Sequence, residues 1–302
     1  MLITGVTGYI GSALARSLTA AGHDVVGLSR YPFKAKTAVP ELAAAHGWSP
    51  TEAEPPEEAW AGVDGVVNLV GEPIAGRWTD AKKRAIYDTR IQATRNLVDG
   101  VSQLAQRPAV LVNASAVGYY GDRGEAELVE SESPGDGFLP GLVKDWEAAA
   151  ASAEPLGLRV VRLRVGFLVG RGAPFLRLQL PLFRLGLGGP LGSGKQWWPW
   201  VHLDDVVGLY RRALEDDGMS GAVNATAPAP VRQRDFAKAV GRVLGRPALL
   251  PAPGLAIRLV LGEFAAEVLD SRRVLSRAAA EAGHTFAYTE LEPALRDALG
   301  GP

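Results

Sequence analysis

Three glycines within the first eleven residues constrain this chain more than any other feature. Leu2-Ile3-Thr4 reads as a short buried strand, Gly5-Val6-Thr7-Gly8-Tyr9-Ile10-Gly11 as a glycine loop opening a helix, and Val25-Val26-Gly27-Leu28 as a second strand. Gly5 lets the chain turn sharply out of the strand, Gly8 admits a pyrophosphate close to the backbone, and Gly11 lets the helix pack against the sheet. Apolar residues at helical spacing follow in Ser12 to Leu18, and Gly22 stops the helix. Phosphates would then sit on the free N–H groups at the helix N-terminus, where the dipole favours negative charge. The glycine spacing is G-x-x-G-x-x-G rather than G-x-G-x-x-G, so the context carries the weight: a βαβ unit of about thirty residues. The residues expected to cradle a dinucleotide here are Gly5, Thr7, Gly8, Tyr9, Ile10 and Gly11.

Composition closes off several other readings. Basic and acidic residues number 32 and 33, which gives no electrostatic case for nucleic acid. With no cysteine, disulfides, thiolate zinc sites and a cysteine nucleophile are excluded. His23, His46, His202 and His284 lie far apart in sequence, so no metal site is expected. Leu178 to Leu187 is interrupted by Pro181 and Arg184, and no apolar stretch is long enough to span a bilayer. The glycine loop begins at residue 5, so no signal peptide is expected and the location expected is cytoplasmic.

Further along, Val63 to Gly71, Val110 to Ala116 and Arg159 to Val165 read as strands, separated by helices at Ala81 to Leu104 and about Leu139 to Ala153. Strands apolar throughout that alternate with helices argue an α/β fold, a Rossmann-type doubly wound parallel sheet covered on both faces. Pro40 to Ala61 reads as a short strand plus loop, and Pro174 to Pro199 has little periodicity. A helix is expected from His202 to Leu214, with Asp204 or Asp205 as its N-cap. Val231 to Leu244 and most of Gly254 to Ala282 read as helical, then a short strand at Phe286 to Tyr288 and a closing helix at Leu291 to Leu299. The expected division is a cofactor domain over 1–170, with 196–226 returning to it, and a smaller, mainly helical cap from 171–195 and 227–302. Trp197, Trp198 and Trp200, with Lys195 and His202, read as a packing cluster between the two or as aromatic faces for a flat ligand.

The glycine loop is one of many motifs that fall in one order. Others are Asn68-Leu69-Val70-Gly71-Glu72-Pro73-Ile74, Ser115-Ala116-Val117-Gly118-Tyr119-Tyr120-Gly121, Trp146-Glu147-Ala148-Ala149, Arg164 to Gly170, Phe183 to Gly194, and Pro199 to Asp205. Near the end stand Leu261-Gly262-Glu263 and Glu292-Pro293-Ala294-Leu295. On these the chain resembles the extended short-chain dehydrogenase/reductase superfamily, in the NAD-dependent epimerase/dehydratase branch with its own C-terminal domain of unknown function. The resemblance implies NADP(H) rather than NAD, and the residues agree. Ser29-Arg30 follows the second strand, no acid lies between Gly27 and Pro40, and a guanidinium suits the extra 2′-phosphate. Arg90 is a second candidate phosphate contact, with an ordinary exposed helical arginine as the other reading. By resemblance Leu69, Val70 and Gly71 line the adenosine or ribose side, and Leu168 sits near the nicotinamide.

The superfamily's proton-transfer pair, Tyr-x-x-x-Lys on one helix face, has no match. Aligned on Glu147, Leu139 stands for the tyrosine and Val143 for the lysine, while Lys144 is one residue off, about 100° around the helix. Ser115 and Tyr120 are the weak catalytic candidates, with a structural role as the other reading. The resemblance therefore implies an NADP(H)-dependent oxidoreductase or epimerase with degenerate catalytic residues, acting on an unidentified carbonyl or hydroxyl compound, a sugar-nucleotide-like one included; a nucleotide-sugar epimerase is a third reading. The rival is an NADPH-binding sensor or regulator without turnover. A monomer or homodimer is expected.

Overall fold

The computed structural model describes residues 1–300. The chain begins β1 (Leu2–Thr4), α1 (Tyr9–Ala20), β2 (Val26–Ser29), α2 (Pro32–Ala38), β3 (Ala44–Gly47), β4 (Gly65–Asn68), α3 (Asp80–Ser102) and β5 (Val110–Ala116). It continues through β6 (Glu127–Leu128), α4 (Phe138–Ala151), β7 (Arg159–Val165), β8 (Phe167–Val169), α5 (Pro174–Arg184), β9 (Trp197–Trp198), β10 (Trp200–His202), α6 (Leu203–Glu215) and β11 (Gly221–Ala225). It closes with β12 (Val231–Arg232), α7 (Gln233–Leu244), α8 (Gly254–Leu261), α9 (Ala265–Leu269), β13 (Arg273–Val274), α10 (Arg277–Glu281) and α11 (Leu291–Leu299).

Seven strands form one parallel sheet in the order β11-β7-β5-β4-β1-β2-β3. This is the Rossmann-type α/β fold. The chain steps outward from β1 to β2 and β3, then returns to β4 on the other side of β1. That reversal opens the crevice at the carboxyl ends of the strands where such sheets bind ligands. Why the strands read as unbroken apolar runs is now plain. Ile3, Val67, Val112 and Val161 pack on one face with Leu14, Leu18 and Leu209 of α1 and α6. Their neighbours Leu2, Val66, Leu111 and Val160 pack on the other with Leu97, Val98 and Val101 of α3. Successive side chains point to opposite faces, and both faces are dry.

The tail of the chain departs from expectation in several places, each with a physical reason. Neither Asp204 nor Asp205 caps α6; the cap is His202, whose Nδ1 accepts from the Asp204 N–H at 3.3 Å. Asp205 turns inward instead and accepts from the backbone N–H groups of Ala287 and Tyr288 at 2.6 and 3.2 Å. Those donors are thereby used, and Phe286 to Tyr288 forms no strand. The long helix expected over Gly254 to Ala282 is cut by Gly262, which takes φ +60°, and by β13, which pairs with β6. Val231 begins a short strand against β9 rather than a helix. α5 is a helix in the segment read as unperiodic: Leu176 and Phe183 are buried while Leu178, Leu182 and Leu185 stay in water.

The tryptophan cluster packs. Trp198 and Trp200 are fully buried, and Trp198 stacks on Phe167 at 4.6 Å and meets Phe236 edge-on at 5.3 Å. Trp197 is half-buried beneath the Arg232 guanidinium and donates to Glu125, and Lys195 is exposed. Among the described residues no helix is long and apolar enough to cross a membrane, and no group of three or more acids and histidines is placed to hold a metal.

Candidate functional site

The carboxyl end of β1 is built around two glycines and one threonine. Gly5 adopts φ +64°, and a Cβ there would lie 2.9 Å from the Leu69 carbonyl group. A Cβ on Gly11 would lie 2.4 Å from the Gly5 oxygen, so α1 starts directly against the turn. Gly8 is the N-cap of α1 with no side-chain cap, and the first turn carries no acid. The first-turn N–H groups are therefore left for an anion. The Thr4 hydroxyl donates to Asn68 Oδ1 at 2.6 Å and accepts from the Leu69 and Val70 N–H groups at 3.0 and 3.2 Å. Asn68 in turn donates to Asn113 and Thr94. This dry network fixes how β4 leaves the sheet beside Gly5. Thr4→Val keeps the shape but strands those groups. We expect a loss of about 1–3 kcal/mol in denaturant titrations with weaker cofactor binding.

A cavity of about 240 Å³ opens above this floor. Gly5, Thr7, Gly8, Ser29, Arg30, Leu69, Val70 and Gly71 all line it, together with Leu28, Tyr31, Trp48 and Pro50, which sequence reasoning did not single out. Trp48 follows β3 directly; its ring is buried and its Nε1 donates to the Ala53 carbonyl at 2.8 Å. An aromatic residue just past the third strand was the available signal. Arg30 is exposed and forms no ion pair among the described residues, so its charge is free for a ligand.

The other expected contacts lie outside the cavity wall. Gly11 supports the turn from behind, and Ile10 packs against the core. The Tyr9 hydroxyl donates to the Arg171 carbonyl at 3.2 Å, tying α1 to the segment after β8. Leu168 sits in β8, beside Val201 of β10, and packs on the main core. The Arg90 guanidinium lies behind Gly71, where it donates to the Glu72 and Ile86 carbonyls at 2.9 and 3.2 Å and covers the Trp146 ring. Burial brings its pKa down to about 10, against the pull of Glu72, so it stays cationic at neutral pH. It shapes the loop after β4 from below.

At the end of β5 the two hydroxyls named as catalytic candidates are both engaged. Ser115 donates to Glu147 Oε1 at 2.6 Å. Arg164 grips the same carboxylate with two hydrogen bonds of 2.7 and 2.8 Å and donates to the Tyr120 hydroxyl at 2.9 Å. Tyr120 itself donates to Asn224 Oδ1 at 2.7 Å. Ser115, Glu147, Arg164 and Tyr120 are all buried. Burial pushes the Tyr120 phenol up to about 12, which the neighbouring Arg164 and Asn224 only partly offset. Burial alone would lower the Arg164 pKa, but the hydrogen bonds and charge of Glu147 hold it above its ordinary value. A phenol and a hydroxyl engaged in this way brace the strand end. On α4, Leu139 and Val143 are buried in an apolar cluster with Trp78, Trp146 and Phe264, and Lys144 is exposed.

Two family models match this chain: the NAD dependent epimerase/dehydratase family over residues 1–225, and a domain of unknown function, DUF1731, over 252–298. An epimerase family protein of Mycobacterium bovis is 40% identical over 302 residues, covering 99% of this chain and 97% of that protein. The chloroplastic SDR39U1 homolog of Arabidopsis thaliana is 38% identical over 303 residues, covering 97% of this chain and 85% of that protein. The crystal structure of human epimerase family protein SDR39U1 with NADPH superposes with a TM-score of 0.89 at 33% identity, covering 99% of this chain and 98% of that one.

Proposed function

This chain belongs to the NAD dependent epimerase/dehydratase family, and on that premise we propose that it binds NADP(H) and acts as an oxidoreductase on a small carbonyl or hydroxyl compound. The observation that carries the cofactor reading is the unpaired Arg30 at the rim of a cavity floored by Gly5, Gly8 and uncapped N–H groups of α1. The solved human relative, whose crystals contain NADPH, supports it. In this reading the pyrophosphate rests on the first turn of α1, and Arg30 holds the 2′-phosphate with charge-assisted hydrogen bonds. Trp48 and Tyr31 flank the adenosine end, and Leu69, Val70 and Gly71 pass beneath the ribose. When bound, the nicotinamide supplies or accepts a hydride. Thr4 and Arg90 hold the floor in place, and Gly5 and Gly11 let the backbone come close enough.

The protein does this without the Tyr-x-x-x-Lys pair. Leu139 and Val143 occupy its face of α4, and Ser115 and Tyr120 are spent on the buried Glu147–Arg164 pair. Proton transfer therefore falls to water or to the substrate itself. That same observation favours the second reading, an NADPH-binding sensor without turnover.

Arg30→Ala separates these readings from a misplaced cofactor site. Charge-assisted contacts of about 1.5–3 kcal/mol predict that NADPH affinity falls about tenfold to a hundredfold, with NADH affinity unchanged. Fluorescence titration of both nucleotides measures this, and equal loss for the two would remove the phosphate assignment. NADPH consumption across a carbonyl panel, scored against Arg30→Ala, then distinguishes turnover from sensing.

A further inference from the structure

A second cavity, of about 290 Å³, lies between the N-terminal turn of α4 and the α8–α9 segment. Leu139 forms part of its wall and packs over Gly118, two residues beyond the end of β5. Through Leu139 the cavity adjoins the segment just past β5, the strand next to β4 in the sheet. Its size is near the small end of ligand pockets.

The apolar part of the lining is Trp78, Phe138, Leu139, Pro140 and Ala266. Its charges are nearly all committed. The Arg272 guanidinium is buried and paired with Glu267 at 2.8 Å and Asp270 at 3.1 Å, and Glu263 is paired with Lys83 at 2.6 Å. Asp136 adds a further carboxylate, which leaves Arg258 as the lining cation without an ion-pair partner among the described residues. A diphosphate brought here would meet the free guanidinium of Arg258 and the free carboxylate of Asp136, with the Arg77 guanidinium, which donates to the Leu259 carbonyl, at the rim. The mouth extends the apolar character. Arg258 lines the cavity, and Leu255 and Leu259 stand with it on α8 at the i, i+3, i+4 spacing. Both leucines are about 70% exposed, specifically 72% and 69%, which is large apolar surface left in water beside a pocket.

Resting on the cofactor reading above, we propose that this cavity is the substrate pocket and takes an uncharged aromatic or alicyclic carbonyl compound. The leucines of α8 cover the apolar body, and Leu139 packs against it where related enzymes present a phenol to the substrate.

The test uses the full chain loaded with NADPH, with 2-acetonaphthone and UDP-glucose as separate probes in calorimetric titrations. The expected result is binding of the ketone and none of UDP-glucose. Ala266→Trp fills the pocket, and Leu255→Glu places a charge on its rim at an exposed position that folding tolerates. Each should weaken the ketone about tenfold or more while leaving NADPH affinity unchanged. Ketone binding indifferent to both substitutions, or binding of UDP-glucose in place of the ketone, overturns this assignment and leaves the cofactor site standing. Failure of the parent protein to bind NADPH overturns both.

Discussion

Glu147→Ala is expected to lower folding stability by about 3–5 kcal/mol, because it leaves a buried charge without its partner. The Arg164 guanidinium is only 3% exposed and spends two of its hydrogen bonds on that carboxylate. Ser115 loses its acceptor at the same time. Strand β7, which carries Arg164, and β5, which carries Ser115, are adjacent in the sheet, so the damage falls on the middle of the fold. An exposed pair provides the contrast. Glu292 bridges Arg242 and Arg296 on the surface, and Glu292→Gln should leave stability nearly unchanged because water screens the pair. Urea titrations with an unchanged slope measure both. A second variant checks the cause: Glu147→Leu with Arg164→Met removes both charges and should recover much of the loss. A Glu147→Ala penalty no larger than that of Glu292→Gln would show that water or a neighbour neutralises Arg164. The support assigned to the β5 strand end would then fall.

The sheet was legible because its logic is local. Pairs such as Leu2-Ile3 and Val66-Val67 send one side chain to each face, so a fully covered parallel strand announces itself as an unbroken apolar run. The glycine turn after β1 was legible for the same reason: Gly5, Gly8 and Gly11 act on each other within seven residues. What escaped depends on pairing between distant elements. Trp48 lines the cavity only because β3 lies beside β2, placing the residue after it next to Arg30. Asp205 looked like a helix cap by position, yet the segment at Ala287 and Tyr288 folds back and takes its oxygens. Ser115 and Tyr120 could be read from the sequence as catalytic or as structural hydroxyls. Only the arrival of Glu147 from α4 and Arg164 from β7 shows how both are used.

Gly11→Val should separate cofactor binding from general stability more sharply than any change inside the cavity. A Cβ at this position would lie 2.4 Å from the Gly5 oxygen and 3.0 Å from the Val6 Cα. Both are backbone atoms of the loop proposed to hold the phosphates, so no side-chain rotation can relieve the clash. The first turn of α1 must move away from the turn after β1, carrying its N–H groups with it. Overpacking of this kind costs about 1–3 kcal/mol, and the displaced donors should weaken NADPH about tenfold or more. Gly141 on α4 supplies the matched control. It is exposed, and a Cβ there meets no atom within 4 Å. Gly141→Ala should therefore gain about 0.5–1 kcal/mol from helix propensity alone and bind NADPH as the parent does. Fluorescence titration, run at a temperature where both variants remain folded by circular dichroism, separates the two effects. If folded Gly11→Val protein binds NADPH with parental affinity, the phosphates do not depend on the close seating of α1 against Gly5. The site would then have to be sought elsewhere along the sheet edge.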